Sequence, residues 1–199
     1  MELRLATMAD LPTLRTVMDA AIAELQRDFL SEEQIESSRT IMGLDTQLVE
    51  DGTYFVVEHE SEVVGCGGWS RRATLYGSDT TAGRDAHLLD PAADAARVRA
   101  MYTLPRFARR GVGRMILEAC EDAAAAEGFA RMSLMATLSG VPLYSSYGFV
   151  EVEHLPDART SGRSSGAPVP CIRMEAPIRP RPADHARPSP SPPPARPGR

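Results

Sequence analysis

Cysteine is scarce: Cys66, Cys120 and Cys171 are odd in number and follow no metal-ligand spacing. That excludes a disulfide framework and a zinc site, and the three read as buried free thiols. The four histidines, His59, His87, His154 and His185, show no metal pattern either, so no metal is assigned. No apolar run approaches the roughly 18 residues that span a bilayer, so no membrane segment is expected. Residues 1–5 alternate polar and apolar side chains and lack the basic and then apolar regions of a secretory signal. They read as the first strand of a cytoplasmic protein. An excess of positive charge is missing too, since the net charge is -5. After Ala176 the arginines Arg179, Arg181, Arg187, Arg196 and Arg199 face a single acid, Asp184, so the body is more acidic than the whole chain. This argues against nucleic acid as a partner and leans toward a cationic acceptor.

What is present fits one domain. A chain of 199 residues, 43% hydrophobic and 25% charged, can bury one full core and is short for two. The expected domain covers residues 1–177. Residues 178–199 are dominated by proline, arginine, serine and alanine, which cannot offset their ordering entropy by burial, and they are expected to form a disordered tail.

The body alternates patterns. A helix is expected from near Asp10, with Pro12 in its first turn and Leu14, Val17, Met18, Ala21, Ile22 and Leu25 on one face. Ser31-Glu32-Glu33-Gln34 has the form of a capping box, opening a second helix that carries Ile35, Ile41 and Met42. Residues 54–57 and 63–69 read as an antiparallel strand pair around a polar turn. Residues 73–97 form a long polar connection, a length that usually signals function. A strand at residues 98–104 leads through a glycine turn into a helix from Gly111 to Gly128 with Val112, Ile116, Ala119, Cys120 and Ala123 on one face. Residues 131–137 form a further strand, residues 142–147 a short helix, and residues 150–152 and 171–174 the last strands. The class is mixed α/β.

The glycine turn carries the first chemical signal. A helix N-terminus presents unpaired N–H groups and a positive dipole end, so it binds phosphate without a particular side chain. Gly111 and Gly113 permit close approach of the main chain, and Arg109, Arg110 and Arg114 add charge suited to a pyrophosphate or a 3′-phosphate.

The stretch Met101-Tyr102-Thr103-Leu104-Pro105-Arg106-Phe107-Ala108-Arg109-Arg110-Gly111-Val112-Gly113-Arg114 resembles the acetyl-CoA signature of the Gcn5-related N-acetyltransferase (GNAT) superfamily. Downstream, Val141-Pro142-Leu143-Tyr144-Ser145-Ser146-Tyr147-Gly148-Phe149 resembles that family's second landmark, a tyrosine, three residues and then Gly-Phe. Ala108 stands where the family usually has Arg or Gln. The resemblance implies a mostly antiparallel sheet, flanked by helices, whose central strands at residues 98–104 and 131–137 splay apart around the pantetheine arm. It implies acetyl-CoA as co-substrate, its pyrophosphate on the backbone of Arg109, Arg110, Gly111, Val112, Gly113 and Arg114 and its arm on the main chain of Met101 and Thr103.

In the implied chemistry a neutral amine attacks the thioester directly, and Tyr144 is the general acid that protonates the leaving sulfur. Tyr147, one helical turn on, is read as packing. No general base is evident; Glu24, Asp85, His87 and Asp94 are candidates by region only. Trp69 and Arg71, at the end of the strand expected beside the cofactor-bearing one, are candidates to shape the acceptor pocket together with the 73–97 connection, core packing being the other reading of Trp69. The acceptor is a small-molecule or peptide amine that the sequence does not name, and a homodimer is compatible with the fold. The alternative is a non-catalytic acyl-CoA-binding module.

Overall fold

The computed structural model describes residues 1–39, 41–77, 79, 85, 87–158 and 166–179. Strand β1 (Glu2–Leu5) is followed by a short 3-10 turn and helix α1 (Leu11–Leu25), which begins at Pro12 as the sequence indicates and buries Leu14, Val17, Met18, Ala21 and Ile22. The Ser31 capping box forms: Gln34 N donates to Ser31 Oγ at 3.3 Å and Ser31 N donates to Gln34 Oε1 at 3.0 Å.

The helix it opens, α2 (Glu32–Ser38), stops earlier than expected. Ser38 Oγ donates to the carbonyl of Ile35 at 2.7 Å, a local bond that competes with helix continuation. Ile41 and Met42 therefore lie in the loop that leads to a helix the sequence reading missed, α3 (Thr46–Glu50).

Strands β2 (Tyr54–His59), β3 (Glu62–Ser70) and β4 (Ala96–Thr103) precede α4 (Val112–Ala126), β5 (Arg131–Thr137), α5 (Val141–Tyr147), β6 (Val150–Leu155) and β7 (Cys171–Pro177). The seven strands form one sheet in the order β1-β2-β3-β4-β5-β7-β6, antiparallel throughout except where β4 meets β5. Every residue of β3 from Val63 to Ser70 is buried, so both of its faces are covered. Helices α1 and α4 both pack against β3 and β4. Leu14, Val56, Val64, Ile116, Leu117 and Leu134 form the centre of the core.

The packed chain runs past the expected boundary at residue 177. Ile178 N donates to Ala130 O at 2.9 Å, and the backbone N of Arg179 donates to the buried Glu121 at 2.8 Å. Residues 180–199, the rest of the expected tail, lie outside the described residues.

Candidate active site

Strands β4 and β5 pair only at Ala96↔Met132 and Arg97↔Ser133, at the start of both strands. Beyond that point each holds a different neighbour. β5 gives its other edge to β7 along its whole length, and β4 stays on β3. A cleft of about 90 Å³ opens where they separate, lined by residues 98–102, by Met135, Thr137 and Tyr144, and by loop residues 41–43 and 75–77. Leu104 N donates to Val64 O, so the alternation of an antiparallel ladder turns the main chain of Thr103 away from β3 and toward the gap.

A bulge shapes the floor of this cleft. Gly67 stands opposite two residues, Ala100 and Met101, because the register jumps between Cys66↔Tyr102 and Gly68↔Arg99. A Cβ on residue 67 would press on Met101 Sδ and come within 3.2 Å of the Met101 Cα, so a larger residue there would have to displace the Met101 side chain. Ala100 takes φ 52°, a left-handed conformation that costs a non-glycine residue about 1–2 kcal/mol. Tyr54 holds it there, donating its hydroxyl to Ala100 O at 2.9 Å.

From Thr103 the chain passes through a 3-10 turn (Pro105–Phe107) into α4, with Arg109 at φ 63° and Gly111, the N-cap, at φ 89°. Among the described residues, the N–H groups of Arg109, Gly111, Val112, Gly113 and Arg114 donate to no acceptor. They converge at the start of a 15-residue helix, an arrangement suited to an anion. Arg109, Arg110 and Arg114 are exposed around it; Arg110 stacks over Phe107 at 5.3 Å and Arg114 pairs with Glu118 at 3.2 Å. Gly113 has a packing reason as well, because a Cβ there would lie 2.7 Å from Leu143 Cδ2 on α5.

Tyr144 projects from α5 into the cleft, with its ring edge-on to Phe149 at 5.9 Å. Its hydroxyl makes no hydrogen bond among the described residues. Burial, with Cys120 nearby, pushes its ionisation well above that of an ordinary phenol, so it carries a proton available to donate. Residues 50–151, the span that holds the bulge, the turn and Tyr144, match the acetyltransferase (GNAT) domain family. The chain belongs to that family.

Membership places acyl transfer from acetyl-CoA as the activity class of this acetyltransferase domain. The fold is similar to that of a GCN5-related N-acetyltransferase from Rhodopseudomonas palustris, at 18% identity and a TM-score of 0.64, covering 89% of this chain and 95% of that one. It is also similar to a ribosomal-protein-alanine N-acetyltransferase from Brucella melitensis, at 18% identity and TM-score 0.60, covering 89% and 100%. A third similar structure is the PaiA N-acetyltransferase from Thermoplasma acidophilum in complex with coenzyme A, at 16% identity and TM-score 0.59, covering 88% and 98%. No curated protein sequence matches. Among the described residues no helix is long and apolar enough to cross a membrane, and no cluster of His, Cys, Asp or Glu could hold a metal ion.

Two expected acceptor residues fall outside the acetyltransferase cleft. Trp69 pairs with Val98 near the start of β4, is 1% exposed, and packs edge-on against Phe129 at 5.9 Å. Arg71 covers its ring at 5.5 Å and pairs with Glu127, at the C-terminal end of α4, at 2.7 Å. The antiparallel register explains this: the end of β3 lies beside the start of β4, whereas the phosphate turn follows the end of β4. The regional base candidates are no closer. Asp85 is exposed and holds His87 Nδ1 at 2.6 Å, Asp94 accepts from Asp90 N at 2.9 Å, Glu24 is exposed on α1, and none of the four lines the cleft.

The reading also missed Arg99. Its guanidinium, 3% exposed, meets the fully buried Asp45 at 2.6 Å and donates to Gly77 O at 2.7 Å, tying both roof loops to β4. Tyr102 adds a second tie, accepting from Gly43 N at 3.1 Å. An arginine between Val98 and Ala100 in a buried strand was the available signal, since such a charge needs a partner.

Proposed function

We propose that this acetyltransferase binds acetyl-CoA with its pyrophosphate on the main chain of residues 109–114 and its pantetheine arm along Met101 and Thr103, and transfers the acetyl group to an amine. The observation that carries this reading is the position of Tyr144. A buried, protonated hydroxyl with no described partner stands at the splay of β4 and β5, where a thioester threaded through the gap would end. The amine nitrogen attacks the carbonyl carbon, main-chain N–H groups near Thr103 stabilise the oxyanion, and Tyr144 donates to the departing sulfur. Residues 41–43 and 75–77 form the acceptor side of the cleft.

One observation favours a second reading, a non-catalytic acyl-CoA-binding module. No carboxylate or imidazole lines the cleft among the described residues. Calorimetric titration with CoA beside a thiol-release assay over a panel of amines separates the two. Transfer is expected to release thiol with at least one amine; CoA binding with no release from any amine would establish the binding module instead.

A further inference from the structure

The titratable groups that line the cleft are Arg99 and Tyr102 from β4, Tyr144 from α5 and Tyr76 from the loop after β3. None of them accepts a proton at neutral pH. Arg99 is engaged with Asp45, and Asp157, the carboxylate near Tyr76, accepts from Val169 N at 3.2 Å. Asp79, on the outer side of the 43–44 segment, accepts from both N and Oγ1 of Thr46. Burial raises the phenols of Tyr76, Tyr102 and Tyr144 above their ordinary value, and it pushes the Cys66 thiol behind Tyr102 up to about 12. The Cys120 thiol beside Tyr144 is raised by burial as well.

The residues outside the description do not supply a base inside the domain. Positions 40, 78, 80–84, 86 and 159–165 contain no Asp, Glu or His, and the whole chain contains no lysine. Beyond Arg179 only Asp184 and His185 remain. Apolar side chains of Ile41, Met42, Val98, Met101 and Met135 line the cleft beside these groups. An ammonium brought there loses its water and meets no free carboxylate, an expensive combination. The cationic acceptor suggested by the net charge of the body therefore meets no carboxylate among the residues that line the cleft.

We propose that the acceptor is a weakly basic primary amine on an apolar body, an α-amino group or an arylamine, which enters the cleft already neutral. This rests on the acetyltransferase reading and narrows it. The nitrogen lone pair forms the C–N bond and the C–S bond breaks. Sulfur takes the phenolic proton of Tyr144, and the tyrosinate oxygen takes one proton from the attacking nitrogen. Amide and CoA thiol leave, Tyr144 is restored, and no proton is gained or lost overall.

The size of the selection follows from protonation. An α-amino group of pKa about 7.8 is about one-seventh neutral at pH 7, whereas a lysine-type amine of pKa about 10.4 is neutral in about one molecule in 2,500. The ratio is about 300-fold, part of which the stronger nucleophilicity of the basic amine takes back.

The test measures kcat/KM for the acceptor between about pH 6 and about pH 9 on the full-length protein. Four acceptors are compared: an alanyl peptide without lysine, the same peptide N-blocked with one lysine added, an arylamine, and spermidine. The expected result is a profile that follows each acceptor's own ionisation, with a break near about 7.8 for the alanyl peptide, a rise still continuing at about pH 9 for the lysine peptide and spermidine and no break for the arylamine, and at pH 7 at least about a tenfold preference for the alanyl peptide or the arylamine over the lysine peptide and spermidine. Whichever of the two is faster identifies the source of the amine. The Asp184→Asn/His185→Gln variant is expected to keep the profile. One break shared by all acceptors, a preference for lysine or spermidine, or loss of activity in that variant would overturn the proposal while leaving the transferase reading intact. CoA binding without thiol release from any acceptor would instead overturn the transferase reading beneath it.

Discussion

Tyr147 donates its hydroxyl to Glu121 Oε2 across 2.5 Å in the interior of the domain. The same carboxylate receives Arg179 through its backbone N at 2.8 Å and its Nη2 at 3.1 Å, and the guanidinium also covers the Tyr147 ring at 4.5 Å. Tyr144, three residues earlier on α5, has a hydroxyl with none of these commitments. The two tyrosines of the second motif are therefore separated by their partners: one is tied to α4 and to the segment that follows β7, the other is left facing the cleft.

Tyr144→Phe is expected to lower turnover by roughly 10²-fold to 10³-fold, about 3 to 4 kcal/mol, with acetyl-CoA affinity near wild type. Tyr147→Phe is expected to act on stability instead, lowering the melting temperature by a few degrees as Glu121 loses a buried donor worth about 1 kcal/mol or more. Turnover at saturating acetyl-CoA, measured beside thermal melting for both variants, checks the assignment; a slow Tyr147→Phe and a normal Tyr144→Phe would reverse it.

Chain truncation should be tolerated after Arg179 and not after Ile178. The shorter product leaves Glu121 buried without its guanidinium, a loss of about 1–3 kcal/mol that thermal melting resolves. Acidification offers an independent check. Burial raises the ionisation of Glu121, but Arg179 and Tyr147 outweigh it and hold the carboxyl below its ordinary value. A depressed carboxyl stabilises the fold above its unfolded value of about 4.3 and loses that contribution as the pH falls through its folded value. The gap in melting temperature between wild type and Glu121→Gln should accordingly be full at neutral pH and shrink below about pH 4.3.

Gly113→Asp is expected to abolish measurable acetyl-CoA binding, because it brings a negative charge among the free N–H groups and presses against Leu143. Gly113→Ala meets only the flexible tip of Leu143, so it should shift the melting temperature more than the affinity. Calorimetry on both variants separates the charge effect from the packing effect; unchanged affinity in Gly113→Asp would remove the phosphate turn from the site.

Trp69→Phe should cost stability, in the range of about 1–3 kcal/mol for a shape change in a packed core, and leave both Michaelis constants unchanged. Met42→Arg, at the cleft wall, should do the opposite, raising the acceptor Michaelis constant at least about tenfold, about 1.4 kcal/mol, with little change for acetyl-CoA. Steady-state kinetics with both substrates varied decides between the two positions.

The sequence alone determined the parts of this protein that depend on near neighbours. The stripe of α1, the Ser31 capping box, the order of strands and the Gly111-Val112-Gly113 helix start are encoded within a few residues of one another, because backbone preference and amphipathic period are local. Tyr144 was singled out by the resemblance of residues 141–149 to the family's second landmark, whose Gly148 ends α5 at φ 119°. Only the tertiary structure decided which way Trp69 faces, because that depends on the register of β3 against β4 rather than on the residues around it. The Arg99–Asp45 pair and the Glu121–Tyr147–Arg179 cluster were hidden for the same reason: partners 54 and 58 residues apart meet only when the sheet has formed. Even the splay that makes the cleft is a long-range result. β5 parts from β4 because β7 holds its other edge along its full length, while β4, bulged at Ala100, stays on β3.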